Sequence, residues 1–204
     1  MSPQEFLQAV DATIERHAML KHPFYQYWSE GKLSKEALAE YAKQYYAHVR
    51  AFPTYVSAVH SRCEDRAARL LLLDNLIDEE QGEDNHPELW LRFAGALGVK
   101  RNDTQSARLL PSTIESVNTM KKLTQGEDFL EGVAALYAYE SQIPEVARSK
   151  REGLKAFYGI DSPRDVSFFR VHEEADVIHR QAERGILALH CDTEARQERV
   201  LRAA

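Results

Sequence analysis

Two cysteines in 204 residues, Cys63 and Cys191, are too few and too far apart for a disulfide framework or a zinc motif. A reducing, cytoplasmic setting is therefore expected. No apolar run reaches the roughly 18 residues of a spanning helix, and no basic run suggests attachment to a membrane surface. Positive charge is scarce as well: 26 Lys and Arg stand against 32 Asp and Glu, for a net charge of −6. Without a basic stripe to neutralise phosphates, nucleic acid is excluded as a partner. The opening Ser2-Pro3-Gln4-Glu5 reads as a helix start and not as a signal peptide. No low-complexity linker, fixed-period repeat or shift of composition marks a second domain, so residues 1–204 are read as one domain.

What is present is helix signal. Hydrophobic residues make up 44% and charged residues 28%, a globular balance with enough chain to bury a core. Ser2 and Glu5 form a capping box around Pro3, and Phe6, Val10, Ile14 and His17 recur at helical spacing. A second helix is predicted from Ser34 to about Arg62 with a kink at Pro53, and a third from Ala67 to about Glu83. His86-Pro87 is expected to break that third helix. Further helices are predicted from Pro87 to Leu97, from Ser112 to near Gly126, and from Asp128 to Phe157 with a bend at Pro144. A last long one runs from Ser162-Pro163 to about His190, with a short tail from Thr193. The expectation is an all-α bundle of about seven helices.

The sharpest local pattern is His172-Glu-Glu-Ala-Asp176-Val-Ile-His179. Positions i, i+4 and i+7 fall within about 60° of one another on a helix, so two imidazoles and a carboxylate share one stripe. Nitrogen and oxygen donors of this kind suit iron(II) or manganese(II) and leave positions open for O2. Glu79 and His86, seven apart, would share a face if the helix persisted through Gly82. Glu83 would then share it too and is equally a candidate; the plain alternative is a solvated acidic loop. Glu140 sits in the apolar, aromatic segment Leu136-Tyr-Ala-Tyr-Glu140-Ser-Gln-Ile-Pro144, where a buried carboxylate needs a cation or a metal. Together the segments offer three carboxylates and three imidazoles, close to a helix-bundle di-iron carboxylate site, although the paired Glu-x-x-His of the ferritin-like class is missing. Six donors from three separated segments point to two metal ions.

Longer strings carry a resemblance: Tyr41-Ala-Lys-Gln-Tyr-Tyr-Ala-His48 through Ala51-Phe-Pro53, His60-Ser-Arg-Cys63, Leu71-Leu-Leu-Asp-Asn75, Gly132-Val-Ala-Ala-Leu-Tyr137, Tyr139-Glu140-Ser-Gln-Ile-Pro144 and His172-Glu-Glu-Ala-Asp176. Over nearly its whole length the chain resembles the family of the chlamydial death-domain-associating protein and its bacterial relatives, within the haem-oxygenase-like di-metal oxidases. The resemblance implies a haem-oxygenase-like bundle with an Fe/Fe or Mn/Fe centre at Glu79, His86, Glu140, His172, Asp176 and His179. It implies O2 and an external reductant as co-reactants, and a homodimer is expected. It further implies formation of 4-aminobenzoate, with Tyr25 as the sacrificed aromatic ring and Lys150 as the amino donor. Pro23 and Glu83 depart from the family pattern without touching a matched donor.

Three other readings stay on the table. The same centre could act on a diffusible fatty acid, amino acid or amine. Cys63 could serve as the nucleophile of a thiaminase-like hydrolase, although a buried, inert cysteine is the plainer reading. A metal-free interaction protein would use its His and Glu residues for internal pairing. Read without the resemblance, Lys150 is a solvent-exposed lysine: it lies ten residues past Glu140, about 15 Å along an ideal helix and about 80° round it.

Overall fold

The computed structural model describes all of residues 1–204 and is entirely helical, with no strand. Eleven α-helices follow one another: α1 (Pro3–Arg16), α2 (Pro23–Ser29), α3 (Lys35–Arg62), α4 (Arg66–Glu80), α5 (His86–Ala96), α6 (Arg101–Gln105), α7 (Pro111–Thr124), α8 (Phe129–Glu140), α9 (Ile143–Gly153), α10 (Ser167–His190) and α11 (Glu194–Ala203). A 3-10 turn at Met19–Lys21 precedes α2, and a π turn at Leu154–Tyr158 closes α9.

Most starts are written in the sequence. Ser2, Ser34, Asp65, Asn85, Asp128 and Thr193 each cap a free backbone N–H with a side-chain oxygen, which satisfies donors that no preceding turn can reach. The expected count of about seven is too low for identifiable reasons. The stretch 128–157 is two helices, because the chain turns at Ser141 and Gln142 and places Pro144 in the first turn of α9. His86 opens α5 instead of ending α4, because Asn85 supplies the cap and Pro87 fits the first turn. The break itself sits upstream at Gly82, whose φ of +81° favours glycine. The short α2 and α6 have too few residues to show a period. The last long helix begins at Ser167, five residues later than Ser162. α3 runs on through the buried Pro53 as one element of 28 residues.

α3 is the central strut and packs against α4, α5, α6, α7 and α8, while α10 lies along α8 and α9 and also meets α1, α4 and α5. Two apolar clusters fill the bundle. One gathers Phe6, Phe52, Tyr55, Val59, Leu136 and Leu187; the other is aromatic, built on Trp28, Trp90, Phe93, Phe168 and Phe169. The C-terminal ends of α4 and α8, the start of α5 and the middle of α10 meet between the clusters, and that junction carries the polar residues described below. One close approach fixes α9. A Cβ on Gly153 would lie 2.8 Å from Trp28 Cδ1, and Trp28 Nε1 donates to the Lys150 carbonyl at 3.0 Å. Gly153→Ala is therefore expected to destabilise the fold by about 1–3 kcal/mol through overpacking. Denaturant unfolding measures this, and an unchanged midpoint would contradict the close approach.

Candidate metal centre

Four inward-facing helices deliver the donors. α4 brings Glu79, α5 brings His86 at its first turn, α8 ends on Glu140, and α10 carries His172, Asp176 and His179 on one stripe. All six are buried. Their donor atoms form two sets, Glu79 with His86 and His172, and Glu140 with Asp176 and His179, and within each set the atoms lie no more than 4.8 Å apart. Glu83 is exposed, so the structure withdraws it from the candidates. A cavity of only about 10 Å³ separates the sets; Glu79, His86, His172, Glu140 and Asp176 line it with His48, Tyr139, Val49, Phe52 and Phe168. That is room for atom-sized guests and nothing larger.

Orphaned atoms test whether metal ions fit. His86 Nδ1 sits 2.9 Å from Glu79 Oε1, yet the pair misses hydrogen-bond geometry and the nitrogen has no partner. The two atoms converge on a common space instead of pointing at each other. Asp176 Oδ2 and both oxygens of Glu183 are equally unpartnered. Buried polar atoms are rarely left this way, because each costs about 1–3 kcal/mol unless something meets it. Oxygen and imidazole donors without thiolate suit iron or manganese. The residues fit the ions.

The electrostatics show the same strain. Burial pushes Glu79 well above the usual carboxylate range, aided by the Glu140 charge, and pushes Asp176 up to about 8. Burial also lifts Glu140, but its close neighbours Glu183, His179 and Asn75, the last donating to both of its oxygens, outweigh burial and hold that carboxyl below its ordinary value. For His179, burial works against the charged ring, and the hydrogen bonds to Asp176 and Glu140 overcome it, raising it to about 11. His86 falls to about 4 and His172 falls well below its usual value, both mainly through burial. Two imidazoles are thus held neutral, the form that binds metal.

The imidazoles are also oriented. His172 Nδ1 lies 2.6 Å from the Phe168 carbonyl, so donation there leaves Nε2 free for the cavity. His179 is turned the other way: Nε2 meets Asp78 Oδ2 at 3.1 Å while Nδ1 faces Asp176 and Glu140 at 3.3 Å. Asn75 Nδ2 bridges both oxygens of Glu140 at 3.0 and 3.2 Å. Sequence reasoning missed Asp78, hidden in an acidic run, and Glu183, which extends the 172-176-179 stripe by one more step of four and was legible. It singled out neither His48 nor Tyr139 as cavity wall.

Tyr25 and Lys150 lie apart from the donors, on the far side of that wall. Lys150 is 4% exposed, so the expectation of a solvent-exposed lysine is overturned. The turn at Ser141–Gln142 resets the rotation that a single ideal helix would impose. Its Nζ donates to Tyr41 Oη at 2.6 Å and sits 5.0 Å from the ring centroids of Tyr25, Tyr41 and Tyr45. Burial lowers its pKa to about 7. Tyr45 and Tyr139 touch through their hydroxyls, and Tyr139 packs on His48 with ring centroids 4.6 Å apart. A second, open cavity of about 650 Å³ is lined by Tyr25, Tyr41, Tyr45, His48, Tyr139 and residues of α7. The two cavities share His48 and Tyr139. Cys63 is buried and lines neither of them.

Metal-free protein should lose stability as pH rises from about 6.5 to 8. Glu79, Asp176, His179 and Glu183 all have raised folded-state values and together outweigh the depressed Lys150, His48, His86 and His172, so the folded chain holds more protons than the unfolded one across that window. Thermal melts of chelated protein check this, and a midpoint that climbs over the same window would contradict it.

The family model for iron-containing redox enzymes matches residues 39–204. The chain is similar to the 4-aminobenzoate synthase of Chlamydia muridarum, 48% identical over 90% of this chain and 78% of that protein. It is also similar to the 4-aminobenzoate synthase of Nitrosomonas europaea, 44% identical over 100% of this chain and 86% of that one. Among solved structures, a TenA homologue from Pseudomonas syringae superposes with a TM-score of 0.82 at 19% identity, over 98% of this chain and 85% of that one. A domain of heme oxygenase-like fold from Shewanella denitrificans gives 0.75 at 17%, over 98% and 82%. Likeness at such low identity speaks for the fold alone, whereas the family match covers most of the sequence. This chain belongs to the iron-containing redox enzymes of haem-oxygenase-like fold.

Proposed function

We propose that the chain forms 4-aminobenzoate by an O2-dependent oxidation that consumes two of its own side chains. Tyr25 is the source of the aromatic ring and Lys150 the source of the amino nitrogen. The product is supported by relatives at 44–48% identity that carry the name 4-aminobenzoate synthase. The observation behind the residue assignment is the buried Lys150 amine, 5.0 Å from the Tyr25 ring centroid.

In this reading Glu79, His86 and His172 hold one ion, and Glu140, Asp176 and His179 hold the other, as Fe/Fe or Mn/Fe. The pair supplies oxidising equivalents from O2, with an external reductant restoring its electrons. The protein's own part is placement. Asp78 accepts from His179 Nε2–H and fixes which nitrogen faces the ion, the usual outer partner of a metal-bound imidazole. Asn75 holds Glu140. Tyr139, Tyr45, Tyr41 and Tyr25 form a run of neighbouring rings from the wall of the metal cavity to Lys150. Trp28, 5.6 Å from Nζ, closes the cage on its buried side. Water is excluded from the amine, so a sizeable fraction is neutral at pH 7 and has a lone pair to give.

The 650 Å³ cavity beside Tyr25 favours one alternative, a diffusible substrate turned over many times. Counting product per chain separates the two. Self-consumption caps the yield at one molecule per chain, with the mass of the protein altered at Tyr25 and Lys150.

Three expectations follow from the geometry. Product formation by metal-loaded protein should rise as pH climbs through about 7, because deprotonation frees the Lys150 amine. Tyr25→Phe and Lys150→Met should each abolish it. Full yield from either variant would remove that residue from the reaction. Asp78→Asn should weaken metal binding about 10–100-fold, read by competition with a chromogenic chelator; an unchanged affinity would assign Asp78 to the surface alone.

A further inference from the structure

Glu183 is the one buried acid that neither donor set includes. It lies on α10 one turn beyond His179, and steps of four, three and four keep His172, Asp176, His179 and Glu183 within about 60° of one another. Side chains on a helix lean toward its N-terminal end, so the Glu183 carboxyl reaches back over the turn that carries His179. Glu140, at the end of α8, is its neighbour there.

The two neighbouring acids are served unequally. Asn75 Nδ2 donates to both oxygens of Glu140, at 3.0 and 3.2 Å. Both oxygens of Glu183 are without a partner, although the residue is 1% exposed. The arginines beside it on α10 are engaged elsewhere, Arg180 with Glu145 and Arg184 with Asp11. A carboxyl kept for structure alone would be cradled as Glu140 is, because a buried polar group left unmet is costly. Glu183 is bare, and it is aimed at a donor set.

We propose that Glu183 is a seventh metal donor, the fourth protein ligand of the ion held by Glu140, Asp176 and His179. The inference rests on the two-ion reading given above and adds to it a difference between the two positions. Glu79, His86 and His172 offer two nitrogens and one carboxylate. With Glu183, the other position offers three carboxylates and one nitrogen. Imidazole suits iron, whereas carboxylate suits harder ions such as manganese(II). Glu183 therefore makes the second position the one that retains a hard ion. Because it does not line the small cavity between the sets, its donation leaves the guest space free.

Titration of the full chain, first stripped of metal, with manganese(II) tests the proposal, followed by the electron paramagnetic resonance signal of unbound Mn(II). Wild type should bind two ions. Glu183→Gln should raise the dissociation constant of one of them at least about tenfold, the smallest loss expected even of a residue that only supports a donor. With Glu79 and His86 both changed to Ala, one ion should remain, and Glu183→Gln should weaken that ion by the same factor. Gln keeps the shape of Glu and can still hydrogen-bond to Glu140, so it preserves a structural role and removes the negative donor. Metal-free Glu183→Gln should therefore melt no lower than wild type, while Mn(II) should raise its midpoint by less. Glu183→Asp, an acid drawn back by one methylene, should bind with an affinity between the two. Unchanged Mn(II) affinity in Glu183→Gln, or a lower melting point of that variant without metal, overturns the proposal and leaves the two-ion reading in place. A wild-type chain that binds no Mn(II) overturns both.

Discussion

Four carboxyl groups enclosed in one bundle set the terms for the rest of this structure. Glu79, Glu140, Asp176 and Glu183 are all buried, and His179 is the single charged counterpart among them. Ionised carboxylates in such surroundings are costly unless cations accompany them, and the nearest buried amine, Lys150, is spent elsewhere on Tyr41. The arrangement is therefore under-neutralised by design, and partly unpartnered at Asp176 and Glu183. Divalent ions are the species that resolve it.

The same constraint explains the layout around the centre. Apolar clusters flank the four helix segments, Asn75 and Asp78 fix a carboxylate and an imidazole from behind, and the guest space is kept to atomic size. Tyr25 and Lys150, the side chains the proposal consumes, are held at one remove, behind His48 and Tyr139, where a wider cavity opens. In the proposed reaction, oxidation and carbon–nitrogen chemistry would occupy adjoining compartments joined by aromatic rings. Lys150 belongs to the second compartment because burial among Tyr25, Trp28, Tyr41 and Tyr45 depresses its basicity.

Much of this was legible in the sequence and some of it was not, for physical reasons. The stripe 172-176-179 declared itself because one uninterrupted helix carries it, and caps at Ser2 and Ser34 announced two helix starts. Glu183 continued the stripe and could have been read. Glu79 and His86 could not be placed by period, since Gly82 ends the helix between them and a fresh cap at Asn85 starts another; only the fold brings them together. Lys150 misled for a related reason, as ideal helical geometry fails across Ser141–Gln142. Asp78 gave no signal within a run of acids, because what distinguishes it is a tertiary contact with a residue 101 positions away.

Metal content measured by elemental analysis on protein reconstituted with iron tests the central claim most directly. The account predicts two ions per chain, one fewer when Glu79 and His86 are both changed to Ala, and one fewer when Asp176 and His179 are. Protein that takes up no iron, or variants that keep the full complement, would contradict it.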